Sequence, residues 1–291
     1  MPSAALLLSQ AFNGLALGSL LALVSSGLTI ILGTLGVLNF AHGALFMLGA
    51  YAIFVVLQAT GSFLLALAAG CAFMLLVGLV IERGIVRLFY QRPPEDQILV
   101  TFGIGIVLAE AVRAWFGGDT QHVPVPAWGE GVTQMGFLIY PTYRLQVIGI
   151  IAVTLVILWF VLYRTAIGLV VRAGIENPTM VGILGINVRR TFLLVFAVGV
   201  TAAGFAGMIY APIIAVTPDM GDTFLVQSFV VIVIGGLGSF PGAVAGGLIA
   251  GEIVSLTSAF NSAYSEVMLY AVMALLLTVY PQGLFGTEGR V

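Results

Sequence analysis

The hydrophobic positions of this chain form long unbroken runs, not the alternation of a strand or the narrow stripe of a surface helix. No charged residue occurs from Met1 to Ile81, and none occurs in 145–163, 191–218 or 223–251. Runs of this length read as helices crossing a bilayer, each needing about 20 apolar residues. A barrel strand would alternate apolar and polar over about ten residues, and Ile148–Leu162 is continuous instead. The runs predict spans at 8–32, 44–58, 63–86, 97–116, 145–163, 191–212 and 265–281, with a broken region at 224–257. The expected fold is all-α and integral to the membrane. It has about eight transmembrane helices in a single domain over 1–291.

Two places interrupt the pattern. Gly33-Thr-Leu-Gly36 leads into Val-Leu-Asn-Phe-Ala-His-Gly43, and Gly235-Gly-Leu-Gly238 leads into Ser-Phe-Pro-Gly242. Each cluster breaks an apolar stretch and opens into a helix of small residues. The likeness suggests an internal repeat, one copy in each half. Unwound backbone at membrane depth survives only inside protein or along a watery cavity. Paired Gly- or Pro-interrupted segments are the best sequence pointer to a transport pathway. The candidate pathway residues are therefore Asn39, His42, Gly43, Gly235, Gly236, Gly238 and Ser239. Two of them have a structural reading as well. Asn39 caps a helix beginning near Phe40 or Ala41, and His42 bonds backbone exposed by the break. The pairs Gly14/Gly18, Gly242/Gly246 and Gly247/Gly251 are spaced for close helix packing.

Charge placement adds orientation. Arg83, Arg87 and Arg92 lie in 83–96, and Arg164, Arg172, Arg189 and Arg190 lie in 164–190. By the positive-inside rule both segments are cytoplasmic, and 117–143 is external. The N-terminus then lies outside and the tail with Arg290 inside. This requires 224–257 to re-enter by one face or to count as two crossings. Among the carboxylates, Glu110 is spaced to pair with Arg113 on one helix face. Glu252 follows the small-residue helix 242–251 and joins the pathway candidates.

Composition closes off other classes. Hydrophobic residues make up 60% of the 291 and charged residues 8%, against about 25% charged in soluble domains. Mean hydropathy is +1.16. The net charge of −2 argues against a nucleic-acid role, and the lone Cys71 cannot form an internal disulfide. All ten basic residues are arginine. A Walker A loop needs a lysine at the phosphates, so this polypeptide holds no such ATPase site. Its only histidines are His42 and His122, which leaves no metal-enzyme signature.

The loop 164–190 predicts two short amphipathic helices. One covers Leu169–Ile175 and the other starts at Pro178 with Asn177 as its cap. Met180, Val181, Ile183 and Leu184 would form an apolar patch, lying either on lipid or against a partner.

Taken together, these elements resemble the permeases of branched-chain amino acid ABC importers. The matching residues are Gly36-Val-Leu-Asn-Phe-Ala-His-Gly43 with Met47-Leu-Gly-Ala-Tyr51, then Arg172-Ala173, Glu176-Asn-Pro178 and Gly185-Ile-Asn187, and finally Gly235-Gly-Leu-Gly-Ser239 with Pro241-Gly-Ala243. They run in family order over nearly the whole chain, which looks like the shorter of two paired permease subunits. The resemblance implies a multi-pass protein of the bacterial inner (plasma) membrane, with no cofactor of its own. It implies a second homologous permease, two cytoplasmic ATPase subunits that bind the ATP, and an external substrate-binding protein. It also implies that 172–187 is the ATPase-coupling segment, carried by Arg172, Glu176, Asn177, Pro178, Gly182, Gly185 and Asn187. The external loop, with Trp128, Tyr140 and Tyr143, is a contact for the binding protein or an ordinary structured loop. Related permeases serve urea, amides and other amino or organic acids, and nothing in the residues separates these substrates. A standalone channel or secondary transporter is the remaining alternative.

Overall fold

The computed structural model describes residues 3–136, 138–176 and 178–286. In chain order the helices are α1 (Ala4–Leu35), α2 (His42–Thr60), α3 (Phe63–Gly84), α4 (Pro94–Phe116), α5 (Thr142–Arg164), α6 (Ala166–Glu176), α7 (Pro178–Ile183), α8 (Val188–Tyr210), α9 (Met220–Gly235), α10 (Phe240–Ser258) and α11 (Ser265–Val279). Eight of these are long and apolar enough to cross a membrane, α9 being shorter. The expected all-helical membrane architecture stands. The loop 117–143 differs from expectation in one respect. It contains an antiparallel hairpin, β1 (Val132–Met135) with β2 (Leu138–Pro141).

α1 is apolar on every side and is the most enclosed helix, whereas α4, α5 and α11 keep broad exposed faces. Glycine makes this enclosure possible. A methyl group added at Gly251 would stand 2.2 Å from the Gly18 nitrogen, and one at Gly247 would stand 2.4 Å from the Ala22 nitrogen. α1 and α10 thus touch backbone to backbone along the two predicted small-residue ridges. Without a hydrophobic drive between helices in lipid, such close approach is what supplies packing. Gly242 and Gly246 do the same against α9, at the carbonyls of Gly235 and Val231.

The polypeptide alternates between two ends. One end gathers Arg83, Arg87, Arg172, Arg189 and Arg190. At the other, Gln121 bridges to Val216, and Arg113 at the end of α4 pairs with Asp219 just before α9. α9 therefore starts at the arginine-poor end. It finishes where Gly238 meets Gly33 near the foot of α1. The 224–257 region is two antiparallel helices, of which α10 is long and apolar enough to cross a membrane and α9 is shorter. The tail with Arg290 lies outside the described residues.

Candidate functional site

Both glycine clusters do break the helices, over narrower stretches than 33–43 and 235–242. The first break runs from Gly36 to Ala41. Gly36 adopts φ +66°, and its N–H closes α1 on the Leu32 carbonyl at 2.9 Å. Asn39 Oδ1 accepts from the Ala41 N–H at 3.1 Å, and the Asn39 carbonyl accepts from the His42 N–H at 3.2 Å. α2 begins at His42 without a side-chain cap. Asn39 is thus a local turn former one step ahead of the helix, not the cap of a helix at Phe40. Thr101 on α4 reaches across: its Oγ1 accepts the Phe40 N–H at 3.1 Å and lies 3.1 Å from the Leu38 carbonyl.

His42 is fully buried, with Nε2 2.9 Å from the Val24 carbonyl. A carbonyl only accepts, so Nε2 carries the hydrogen and Nδ1 is the bare nitrogen. Val24 lies in the middle of α1, about three turns above its end. His42 therefore ties the start of α2 to the body of α1 and does not serve backbone freed by the break. It also shows that α2 starts deep within the bundle. Gly43 permits this, since a methyl group there would stand 2.0 Å from the Gly221 carbonyl.

The second break runs from Gly236 to Ser239, with Gly236 at φ +103° and Gly238 at φ +78°. Gly235 packs so tightly that a methyl group would stand 2.1 Å from the Gly242 carbonyl. The turn after α11 folds back here. Leu284 N–H donates to the Ile234 carbonyl and Phe285 N–H to the Gly235 carbonyl, each at 2.9 Å. Ser239 Oγ accepts from the Gly242 N–H at 3.1 Å and caps α10. Gly235, Gly236 and Ser239 are thus packing and capping residues. Gly238 is the member of this set that borders open space.

That space is a cavity of about 140 Å³, bordered by Thr29, Gly33, Thr34, Tyr163, Arg172 and Gly238 among others. The Thr29 hydroxyl is buried with no hydrogen-bond partner among the described residues. Arg172 donates to the Leu162 carbonyl and lies over the Tyr163 ring at 5.5 Å. α6 is anchored there by a close turn, with the Thr165 hydroxyl accepting from the Gly168 N–H at 3.3 Å. The foot of α1, the second break and α6 thus close around one small polar chamber. The sequence ties none of them together.

The rest of the 172–187 segment follows the expected two-helix plan, as α6 and α7. Asn177 and the side chains of 175–179, which include Glu176 and Pro178, lie outside the described residues. Gly185 takes φ +79°, a left-handed turn suited to glycine. Gly182 has open space where a side chain would project. Asn187 accepts from the Arg190 N–H at 3.1 Å and so caps α8. Met180, Ile183 and Leu184 are exposed, but Val181 is 5% exposed and belongs to the interior, not to the apolar patch.

At the arginine-poor end a second chamber of about 120 Å³ lies between α2, α4 and α9. Phe40, Gly105, Glu110, Arg113, Asp219 and Asp222 help to line it. Arg113 Nε sits 3.2 Å from Glu110, the pairing that their spacing predicts, and the same guanidinium also reaches Asp219. Asp219 and Asp222 escaped sequence reasoning. Their signal was that they stand between the uncharged runs 191–218 and 223–251. Glu252 goes elsewhere, toward Gly14 of α1, one turn before Ser255, whose hydroxyl donates to Gln10. It is not brought to either break.

Similarity to known proteins is extensive. Residues 10–277 match the model of a family described as the permease component of branched-chain amino acid transport systems. The chain is 33% identical to the high-affinity branched-chain amino acid transport system permease protein LivH of Escherichia coli K12, over 96% of this chain and 95% of that one. It is 28% identical to BraD of Pseudomonas aeruginosa, a permease of the same description, over 98% of both chains. The ribose import permease protein RbsC of Escherichia coli K12 is 24% identical over 92% of this chain and 84% of its own. No solved structure matches.

Proposed function

From the premise that this chain belongs to the branched-chain amino acid transport permease family, we propose that it forms half of the solute pathway of an ATP-driven importer for branched-chain or other amino acids. It does so in the inner membrane, beside a second homologous permease. Two cytoplasmic ATPases hydrolyse the ATP, and an external binding protein delivers the solute. The observation that carries this reading is the chamber shared by Arg172, Gly33 and Gly238. A motor docked on 172–187 moves α6, which packs on α1 and faces the second break across this chamber. A push on the loop thereby reaches the wall that the unwound backbone shares. Branched-chain amino acids are the substrates named for LivH and BraD, whereas the ribose permease relative carries another solute on a related chain. Selection therefore rests mainly with the binding protein.

The test is purification of the tagged chain from its native membrane. Two ATPases and a second permease are expected to accompany it, and uptake is expected to need ATP. Uptake by this chain alone without ATP would overturn the proposal. Docking is better probed at Leu184→Asp than at Gly185, because Leu184 is exposed whereas Gly185 needs its positive φ. Leu184→Asp should release the ATPases and leave the chain in the membrane. Full retention of the ATPases would remove 172–187 as the coupling segment.

A further inference from the structure

A third cavity lies at the arginine-rich end, away from both breaks. Its volume is about 310 Å³, and Arg83, Arg87, Asn187, Arg189, Arg190 and Leu193 line it. It forms where α3 ends and α8 begins, the two helices packing with Gly78 against Ala197. One of its four charges is already answered. Glu82 is fully buried, with Oε1 3.7 Å from Arg87 Nε and accepting the Tyr90 hydroxyl at 2.7 Å. Burial and the neighbouring Glu82 push the Tyr90 hydroxyl upward from its ordinary pKa, so it stays a donor to that carboxylate. Arg83, Arg189 and Arg190 have no carboxylate within ion-pair distance among the described residues. Three uncompensated guanidinium groups therefore face a space that the positive end of α8 also borders.

The surroundings indicate what fills this space. Leu76, Val80 and Arg83 stand at i, i+4 and i+7 on α3, and Arg190, Leu194 and Val198 at i, i+4 and i+8 on α8. Each set is one ridge of its helix. Leu76, Val80, Leu194 and Val198 are all exposed. Each ridge thus presents a guanidinium at the end of the bundle and bare apolar surface running into the membrane. A carboxylate on a protein partner would use the charge and leave the ridges bare. A phospholipid uses both, and guanidinium groups grip phosphate by paired hydrogen bonds. Basic pockets between helices at the cytoplasmic side suit anionic head groups.

We propose that the cavity between α3 and α8 binds the phosphate head group of an anionic phospholipid, an acyl chain lying along the Leu194–Val198 ridge of α8. The test is native mass spectrometry. The full chain, with the subunits that accompany it, is taken up in equimolar phosphatidylcholine and phosphatidylglycerol. Phosphatidylglycerol is expected to be retained selectively, with affinity falling about fivefold for each arginine replaced in Arg83→Gln, Arg189→Gln and Arg190→Gln. The Arg→Lys counterparts keep the charge and should retain the lipid. Where the triple Gln variant fails to fold, Arg83→Gln alone reads the same effect. Excess inorganic phosphate should not displace the lipid. Equal retention by the native and Gln chains would overturn the proposal, as would saturable phosphate binding without any lipid preference. The readout does not involve transport, so it stands apart from the success or failure of the importer reading.

Discussion

At the first break side chains hold the polypeptide, and at the second backbone holds backbone. Asn39 and Thr101 supply side-chain bonds to Gly36–Ala41, and His42 just beyond it ties the start of α2 to Val24. At the second break, the main chain of the turn after α11 bonds the Ile234 and Gly235 carbonyls just before Gly236–Ser239, and the contact is glycine on glycine. A side-chain anchor can let go and re-form with little change in backbone, whereas a backbone clamp moves as a block. The clamp is the break that shares a chamber with Arg172. The side-chain-held break borders the chamber with Arg113 and Asp219 at the opposite end. In the importer proposed above, force arriving through α6 would meet the stiff element first and would reach the adaptable one through α1, whose Val24 carbonyl holds His42.

The strongest way to break this comparison is to add one methyl group to each break. Gly236→Ala must accept both φ +103° and a contact 2.5 Å from the Gly286 nitrogen, a backbone atom that cannot rotate away. Strain and overpacking together should cost about 4 kcal/mol. Gly36→Ala meets nothing within 4 Å and bears only its φ of +66°, so about 1–2 kcal/mol is expected. Denaturant unfolding in detergent measures both. Equal losses would mean that the second break is not a clamp.

Next in size is His42→Ala. It empties a fully buried site and removes the bond to Val24, for about 3 kcal/mol. His42→Gln, which can still donate an N–H, should recover part of that. A loss below about 1 kcal/mol would contradict the role of His42 as the anchor between α1 and α2.

Much of this comparison was legible beforehand, and the remainder was not for a definite reason. Uncharged runs mark spans because the bilayer demands them. Glycine marks close contacts because a Cβ there would stand within about 2–3 Å of a neighbouring backbone, and breaks because it takes a positive φ. These signals are local. What stayed hidden was the partner of each polar group. His42 bonds a carbonyl 18 residues away in sequence, Arg113 finds an aspartate 106 residues on, and Leu284 reaches Ile234. Asn187, expected as a coupling residue, also caps α8, a bond that the spacing alone did not announce. Val181 and Ile183 look alike in sequence, yet only Ile183 is exposed. Their difference depends on which helix lies behind them.

The clamp can be loosened without touching the break itself. Ending the chain after Tyr280 removes both Leu284→Ile234 and Phe285→Gly235 bonds. The cost should be about 2 kcal/mol. Amide exchange should rise at Gly236–Ser239 and stay unchanged at Asn39–His42. A rise at both would mean that the two breaks yield together.

The smallest expected effect lies on the other side of the comparison, at Thr101. Its Oγ1 accepts from the Phe40 N–H at 3.1 Å, and its hydroxyl hydrogen is contested by the Gln97 carbonyl at 2.8 Å and the Leu38 carbonyl at 3.1 Å. Thr101→Val keeps the shape and deletes the oxygen. Gln97 loses little, because its carbonyl already accepts within α4. The Phe40 N–H loses its one side-chain acceptor in a place where water is scarce. The expected cost is about 1 kcal/mol, with faster amide exchange at Phe40. Thr101→Ser, which keeps the hydroxyl, should preserve Phe40 protection even if lost packing costs a similar amount. The two variants thus separate packing from hydrogen bonding. If Phe40 exchanges equally fast in both, Thr101 fills space only, and Asn39 and His42 hold the first break without it.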